Sequence, residues 1–311
     1  MRIILALMKI DIAILSGITS FDLAAKIAKD LKKTEEIAPV EFRLFHGIES
    51  SVIINRNLQG KYCIVIQSTY PPVDRHLIQM LMIIKKCTDD GALGVCAVIP
   101  YMAYARQDRA FSEGEIASIA LVAKLFEGVG TSKIITVDIH SLRALSYFTV
   151  DIRSISSIPL LANYAIKRMR LTMPIVISPD SGGIRRAQEF ANILKTDMGA
   201  LNKSRDKTTG EVTINEKLDF DVTDRDVILV DDMISTGGSI VKACEVLKMN
   251  RAAKVYAVCA HALLIGDALQ RIKKAGVEEI IATNSIPGIC GKVDLSPILS
   301  PAIRKIIHLH T

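Results

Sequence analysis

At residues 227–238 the chain reads VILVDDMISTGG: four apolar residues, two carboxylates, then a Ser-Thr-Gly-Gly turn. Short apolar runs of this kind suit buried strands, and in a parallel sheet ligands bind beyond the carboxyl ends of the strands. Asp231 and Asp232 are therefore expected to emerge at that edge, ahead of a helix with Ile240, Ala243 and Leu247 on one face. Successive backbone N–H groups in such a turn point inward, and the helix N-terminus adds partial positive charge. Ser235, Thr236 and Ser239 contribute hydroxyl donors, and Gly237 and Gly238 let the backbone approach a bulky anion closely. The turn reads as a phosphate cradle, and the carboxylates before it suit vicinal sugar hydroxyls. Phosphate at one end and a diol at the other describe ribose 5-phosphate. Taken alone, the same turn would also serve as a helix N-cap with acidic neighbours.

Other stretches carry chemistry of their own. Arg106 and Arg109 flank Gln107 and Asp108 in a loop after an apolar run ending at Ile99. Two guanidinium groups there can grip a polyphosphate through bidentate hydrogen bonds, or form a solvated Arg–Asp surface pair. Asp138 and His140 follow the run at 134–137. A His beside a carboxylate suits metal ligation, proton transfer or a satisfied structural role. The segment LNKSRDKTTGEVTI at 201–214 is polar and charged, carries Gly210, and reads as a flexible hairpin or surface loop.

These groups need elements to place them. Short β-rich runs at 12–15, 63–66, 95–99, 134–137, 175–177, 227–230, 255–259 and 280–282 alternate with helical patterns. Ala24, Ile27, Ala28 and Leu31 mark the face of one helix, Ile78, Leu81, Met82 and Lys85 a second, and Ile116, Ile119, Ala120 and Ala123 a third. The alternation predicts α/β architecture with mainly parallel sheets covered by helices. The order CIVIQSTYPPVDRHL, GVCAVIPY, KIITVDIHS repeats as VILVDDMISTGGSI, KVYAVCAH, EIIATNS. That faint repeat predicts two similar domains, 1–152 and 153–295. PAIRKIIHLH, at the end of 296–311, reads as a last helix or strand that packs back on the first domain.

Composition bounds the class. The 311 residues are 50% hydrophobic and 23% charged, enough for a large core and about two domains. Lys+Arg 39 against Asp+Glu 33 gives +6, spread without a basic block, which argues against a nucleic-acid arm and suits small phosphorylated anions. Cys63, Cys87, Cys96, Cys244, Cys259 and Cys290 form no CxxC pair and sit mostly in apolar runs, pointing to buried thiols in a reducing, cytoplasmic setting. MRIILALMKID is too short and too soon charged for a signal peptide, and Met8 offers an alternative start. No stretch reaches the ~18–20 apolar residues of a membrane helix.

The Asp-Asp and Ser-Thr-Gly-Gly order resembles the phosphoribosyl diphosphate loop of phosphoribosyltransferases and phosphoribosyl diphosphate synthases. Further motifs favour the second family, the ribose-phosphate diphosphokinases, in family order from about residue 11. PYMAYARQDRAFSEGE at 100–115 resembles their ATP loop, VDIHS at 137–141 their Asp-x-His segment, SPDSGG at 178–183 their Ser-Pro-Asp-x-Gly-Gly turn, and KSR at 203–205 the Lys-x-Arg of their catalytic loop. ILSGITSFDLAAKIA and TNSIP fit too. The resemblance implies two phosphoribosyltransferase-like domains and transfer of the diphosphoryl group of Mg·ATP to the anomeric hydroxyl of ribose 5-phosphate, with AMP leaving. It implies that Arg106, Gln107, Asp108, Arg109 and Glu49 hold ATP. It gives the sugar phosphate to Asp231, Asp232, Ser235, Thr236, Gly237, Gly238 and Ser239. Lys203, Arg205 and His140 would be catalytic, and His140 and Asp180 would help hold Mg²⁺. Oxygen ligands dominate Mg²⁺ sites, so a His contact through water fits.

Three departures qualify the match. EFRLFHGIES at 41–50 stands where the family has Phe-x-Asp-Gly-Glu, which contacts adenine from a neighbouring subunit. Gly47 and Glu49 correspond, but His46 replaces the Asp and one residue is inserted. Gly114, Glu115, Ile116 and Ala117 lack the family proline, and SLRALSYF after His140 resembles divergent archaeal-like members. The adenine contact implies a homo-oligomer, at least a dimer. The competing readings are a catalytically silent relative, against which Lys203, Arg205, Asp231, Asp232 and His140 all stand, and a phosphoribosyltransferase consuming the product.

Overall fold

The computed structural model describes residues 11–201, 203–205, 212–214 and 218–309, so the alternative start at Met8 lies outside the described residues. The chain forms two compact units, one running to Ile155 and taking in Leu295 onward, the other Ser156–Asp294.

The first unit runs β1 (Ile12–Ser16), α1 (Phe21–Asp30), β2 (Ile37–Ala38), β3 (Val40–Phe45), β4 (Glu49–Ile54), β5 (Tyr62–Ile66), α2 (Val73–Asp89), β6 (Gly94–Ile99), α3 (Ser118–Gly128), β7 (Lys133–Val137), α4 (Leu142–Leu145) and β8 (Asp151–Ile155). Its sheet has the order β2-β1-β5-β6-β7-β8, with every neighbouring pair parallel. Strands β3 and β4 form a separate antiparallel hairpin. Every residue of β1 and β5 is buried, as strands covered on both faces require.

The second unit runs α5 (Ile158–Arg168), β9 (Ile175–Ser178), α6 (Ile184–Leu194), β10 (Asp197–Ala200), β11 (Lys203–Arg205), β12 (Val212–Ile214), β13 (Asp226–Ile234), α7 (Gly238–Met249), β14 (Lys254–Ala262), α8 (Ala268–Lys274), β15 (Val277–Thr283) and β16 (Gly291–Val293). Its parallel sheet has the order β10-β9-β13-β14-β15-β16, and β11–β12 is again an antiparallel hairpin. Strand order and hairpin position are thus the same in both units. The last element, α9 (Ser296–Leu309), is a helix of the first unit. Ser300 Oγ there donates to Asp30 Oδ2 at 3.0 Å and Arg304 Nη2 to the Asp30 carbonyl at 2.9 Å.

Three expectations change. Ile78 is exposed and Leu77, Met80, Leu81, Ile84 and Cys87 are buried. The apolar run in α2 is wider than one face, so its spacing leaves the inward stripe undetermined. Helix α3 starts at Ser118, after an extended Ala117, leaving Ile116 exposed outside it. Strand β13 continues four residues past Val230, because β14 runs alongside it and pairs Asp231 with Cys259, Met233 with His261 and Ile234 with Ala262. The two carboxylates are strand residues and do not lie beyond the strand.

Candidate active site

Asp231 and Asp232 differ in exposure, at 19% and 6% of their side chains. The more open Asp231 accepts from the Asp232 amide at 2.8 Å through Oδ1. Burial and the adjacent Asp232 carboxylate hold the Asp231 carboxyl well above the usual carboxylate range, with Arg186 pulling the other way. Burial and then Asp231 likewise push the paired Cys259 thiol up, so it stays neutral. Arg186 is the group that sequence reasoning missed. It sits in the first turn of α6 and places Nη1 3.6 Å from Asp231 Oδ1 and Nη2 3.8 Å from Asp232 Oδ1. Its only signal in the chain is its place just after SPDSGG.

The turn that follows is built to present amides. Gly237 has φ +77°, and a Cβ there would lie 2.7 Å from Ile272 Cδ1. Helix α7 begins at Gly238, and the leading amides of a helix have no partner within it. Arg271 Nη2 donates to the Thr236 carbonyl at 2.6 Å, while its Nε donates to Asp267 Oδ1 at 2.9 Å. In a planar trans peptide N–H and C=O point in opposite directions. Holding the Thr236 carbonyl against α8 therefore aims the Gly237 N–H the other way. Ser235 and Ser239 are half-buried and Thr236 is exposed beside these amides. Asp180, before α6, uses Oδ1 to accept from the amides of Gly182 at 3.0 Å and Gly183 at 3.2 Å. Lys203 and Arg205 lie on β11, opposite Ile214 and Val212.

In the first unit, Arg106, Gln107 and Arg109 are exposed on the loop after β6, and the Arg109 guanidinium carbon lies 5.1 Å from the Phe111 ring centre. Asp108 ties this loop to the His140 segment. Its Oδ2 accepts from Ser141 Oγ at 2.5 Å and its carbonyl from the Tyr147 hydroxyl at 2.9 Å. Ser141 also caps α4, accepting from the Ala144 amide at 3.2 Å. The divergent SLRALSYF segment thus supplies both of these contacts. His140 itself is exposed, two residues after Asp138, whose φ is +39°. Glu49 stands apart, exposed at the start of β4 opposite Phe45, next to a turn in which His46 and Gly47 both have positive φ. His140 and Asp180, the expected metal ligands, belong to different units.

Among the described residues no three His, Cys, Asp or Glu side chains gather to hold a metal ion. Mg²⁺ does not need such a cage, since it takes one or two carboxylates and fills its shell with phosphate oxygens and water. The Asp180 carboxylate suits that donor set. No described helix is long and apolar enough to cross a membrane.

Parallel sheets with an acidic strand end and an amide-lined turn define an α/β protein whose strand ends suit a phosphorylated ligand. A family model for the N-terminal domain of ribose phosphate pyrophosphokinase matches residues 12–130, and one for the phosphoribosyl synthetase-associated domain matches 216–311. Curated ribose-phosphate pyrophosphokinases are similar along most of the chain. That of Sulfolobus acidocaldarius is 36% identical over 87% of this chain and 92% of its own length. That of Methanopyrus kandleri is 37% identical over 91% and 96%, and that of Haemophilus ducreyi 34% over 95% and 96%. The crystal structure of phosphoribosylpyrophosphate synthetase from Mycobacterium smegmatis superposes with a TM-score of 0.85 at 27% identity, covering 96% of this chain and 99% of that one. The chain belongs to the ribose-phosphate pyrophosphokinase family.

Proposed function

We propose that this protein transfers the diphosphoryl group of Mg·ATP to the anomeric hydroxyl of ribose 5-phosphate, giving 5-phosphoribosyl 1-diphosphate and AMP. The observation that carries the reading is the run of Asp231, Asp232 and an amide-presenting turn on a chain of this family. The hydroxyl oxygen bonds to the β-phosphorus, the bond from that phosphorus to the α–β bridging oxygen breaks, and the oxygen leaves with AMP while the hydroxyl proton is released.

Asp231 and Asp232 accept hydrogen bonds from the ribose hydroxyls. Residues 235–239 hold the 5-phosphate through amides and hydroxyls. Arg106, Gln107 and Arg109 grip the nucleotide phosphates, and Asp108 fixes their loop against the His140 segment. Lys203 and Arg205 neutralise charge on the transferred group. Such transfer depends on placement and charge neutralisation more than on covalent help. Mg²⁺, for which Asp180 and His140 are candidate ligands, would supply further neutralisation of the phosphate oxygens.

Glu49 and its hairpin serve adenine across subunits, so the working form is a homo-oligomer. The six cysteines are free and buried, which supports a reducing, cytoplasmic setting. The test mixes protein, ribose 5-phosphate and Mg·ATP and measures AMP. AMP formed only when the sugar is present supports the reading. No turnover with intact nucleotide binding, or consumption of phosphoribosyl diphosphate with a base, refutes it.

A further inference from the structure

The duplicated sheets give the strand-end site a counterpart in the first unit. Cys63 and Val65 of β5 pair with Val95 and Ala97 of β6, as Val227 and Leu229 of β13 pair with Val255 and Ala257 of β14. Counting on from these pairs, Gln67 takes the place of Asp231, Ser68 that of Asp232, and Thr69 that of Met233. The side chains there are closed to solvent, with Gln67 and Ser68 at 0% exposure and Thr69 at 2%.

This counterpart grips protein where the second unit presents groups to a ligand. Ser68 Oγ accepts from the Tyr101 amide at 3.1 Å. Thr69 Oγ1 donates to the Tyr101 carbonyl at 3.1 Å and accepts from the Ala103 amide at 2.8 Å. The Thr69 amide also donates to the Tyr101 carbonyl at 2.9 Å. Ser68 is itself braced, its amide donating to Ser20 Oγ at 3.0 Å and its carbonyl accepting from Thr19 Oγ1 at 2.8 Å. Beyond the grip, Tyr104 has φ +63°, its hydroxyl donates to Asp74 in the first turn of α2, and its carbonyl accepts from the Gln107 amide at 2.9 Å. The residues so held, 101–104, lead directly into Arg106, Gln107 and Arg109.

We infer that Ser68 and Thr69 are positioning residues for nucleotide binding: the first unit's copy of the sugar-phosphate site has become a clamp that sets the direction of the loop bearing Arg106 and Arg109. The inference rests on the reading of that loop as the nucleotide site. A backbone pinned at Tyr101 and Ala103 by buried hydroxyls has little freedom before Arg106. Removing Thr69 Oγ1 leaves the buried Ala103 N–H unpaired, which the loop relieves by moving.

The test compares Michaelis constants for the two substrates in Thr69→Val, which keeps the side-chain shape, and in Ser68→Ala, which carries the same reading where Thr69→Val does not fold. The expected result is a KM for ATP raised roughly tenfold, the scale of one or two lost buried hydrogen bonds. The KM for ribose 5-phosphate stays within about twofold, and Thr69→Ser, which keeps Oγ, restores the wild-type value. No rise, or an equal rise in both constants, overturns the clamp. Arg106→Ala and Arg109→Ala are measured in parallel. If they raise the KM for ATP and Thr69→Val and Ser68→Ala do not, the clamp alone is wrong. If they leave it unchanged, the nucleotide-loop reading is wrong and takes the clamp with it.

Discussion

Replacing Arg186 by Gln tests whether one guanidinium keeps the twin carboxylates usable. Its nitrogens lie 3.6 and 3.8 Å from Asp231 and Asp232, and all three side chains are less than one-fifth exposed. At an effective dielectric constant of about 20, each contact is worth about 4–5 kcal/mol of Coulomb attraction. Desolvation offsets much of that, and removing one member of such a buried cluster costs about 3 kcal/mol net. In a protein of this size the loss lowers Tm by roughly 6–12 °C.

The sign of the pH dependence follows from Asp231. Its carboxyl already lies above the usual range, and Arg186 is the group opposing that rise. Without Arg186 the folded protein holds the proton to still higher pH. A carboxyl raised in the folded state contributes stability that is lost as pH climbs through its folded value. The deficit of Arg186→Gln is therefore small in acid and grows toward neutral and alkaline pH. The acid limb of kcat/KM for ribose 5-phosphate moves up in pH for the same reason, since the sugar hydroxyls need an ionised acceptor. Arg186→Lys falls between, because an ammonium group reaches one carboxylate well and not both. Thermal unfolding across pH and initial rates with varied ribose 5-phosphate measure both effects. A Tm difference independent of pH, with an unmoved acid limb, would refute the reasoning.

Asp231→Asn differs from Arg186→Gln because it removes the cluster's excess negative charge and leaves Asp232 paired with Arg186, so its Tm rises above wild type, by more at pH 8 than at pH 5, while turnover collapses; a Tm equal to wild type at both pH values contradicts this. Gly237→Ala places a Cβ 2.7 Å from Ile272 at φ +77°, and is expected to cost about 1–3 kcal/mol in denaturant unfolding and to weaken ribose 5-phosphate binding. Arg205→Ala keeps ribose 5-phosphate binding by calorimetry but loses roughly 10³ or more in turnover; a near-normal turnover number removes Arg205 from the mechanism.

Much of this architecture was legible because apolar runs such as Cys63–Ile66 and Val227–Val230 can be little other than buried strands. The acids and glycines at 231–238 stood out as a candidate site because their order suits a mechanism. What escaped depends on partners distant in sequence. The end of β13 is set by how far β14 runs beside it, and no spacing within 227–238 encodes that. Arg186 meets Asp231 and Asp232 across a helix and a strand, so no local motif contains all three. The inward face of α2 is hidden because its apolar residues exceed one stripe.

The duplication explains why the elements were easier to read than their roles. Sheet order and register repeat, so the same hydrophobic periods announce both units. Periodicity says nothing of what stands at the strand end. There, Asp231 and Asp232 cost stability that only a ligand or a cation such as Arg186 returns. Gln67 and Ser68 in the equivalent place are neutral and fully buried, Gln67 donating to the His76 carbonyl in α2 and Ser68 accepting from the Tyr101 amide. A neutral strand end can be sealed under protein, whereas a charged one needs an opposite charge or a ligand beside it. The partly exposed carboxylate of Asp231 and the closed amide of Gln67 in the equivalent place are thus what would separate a proposed site for ligand from a support for a loop, on scaffolds of the same topology.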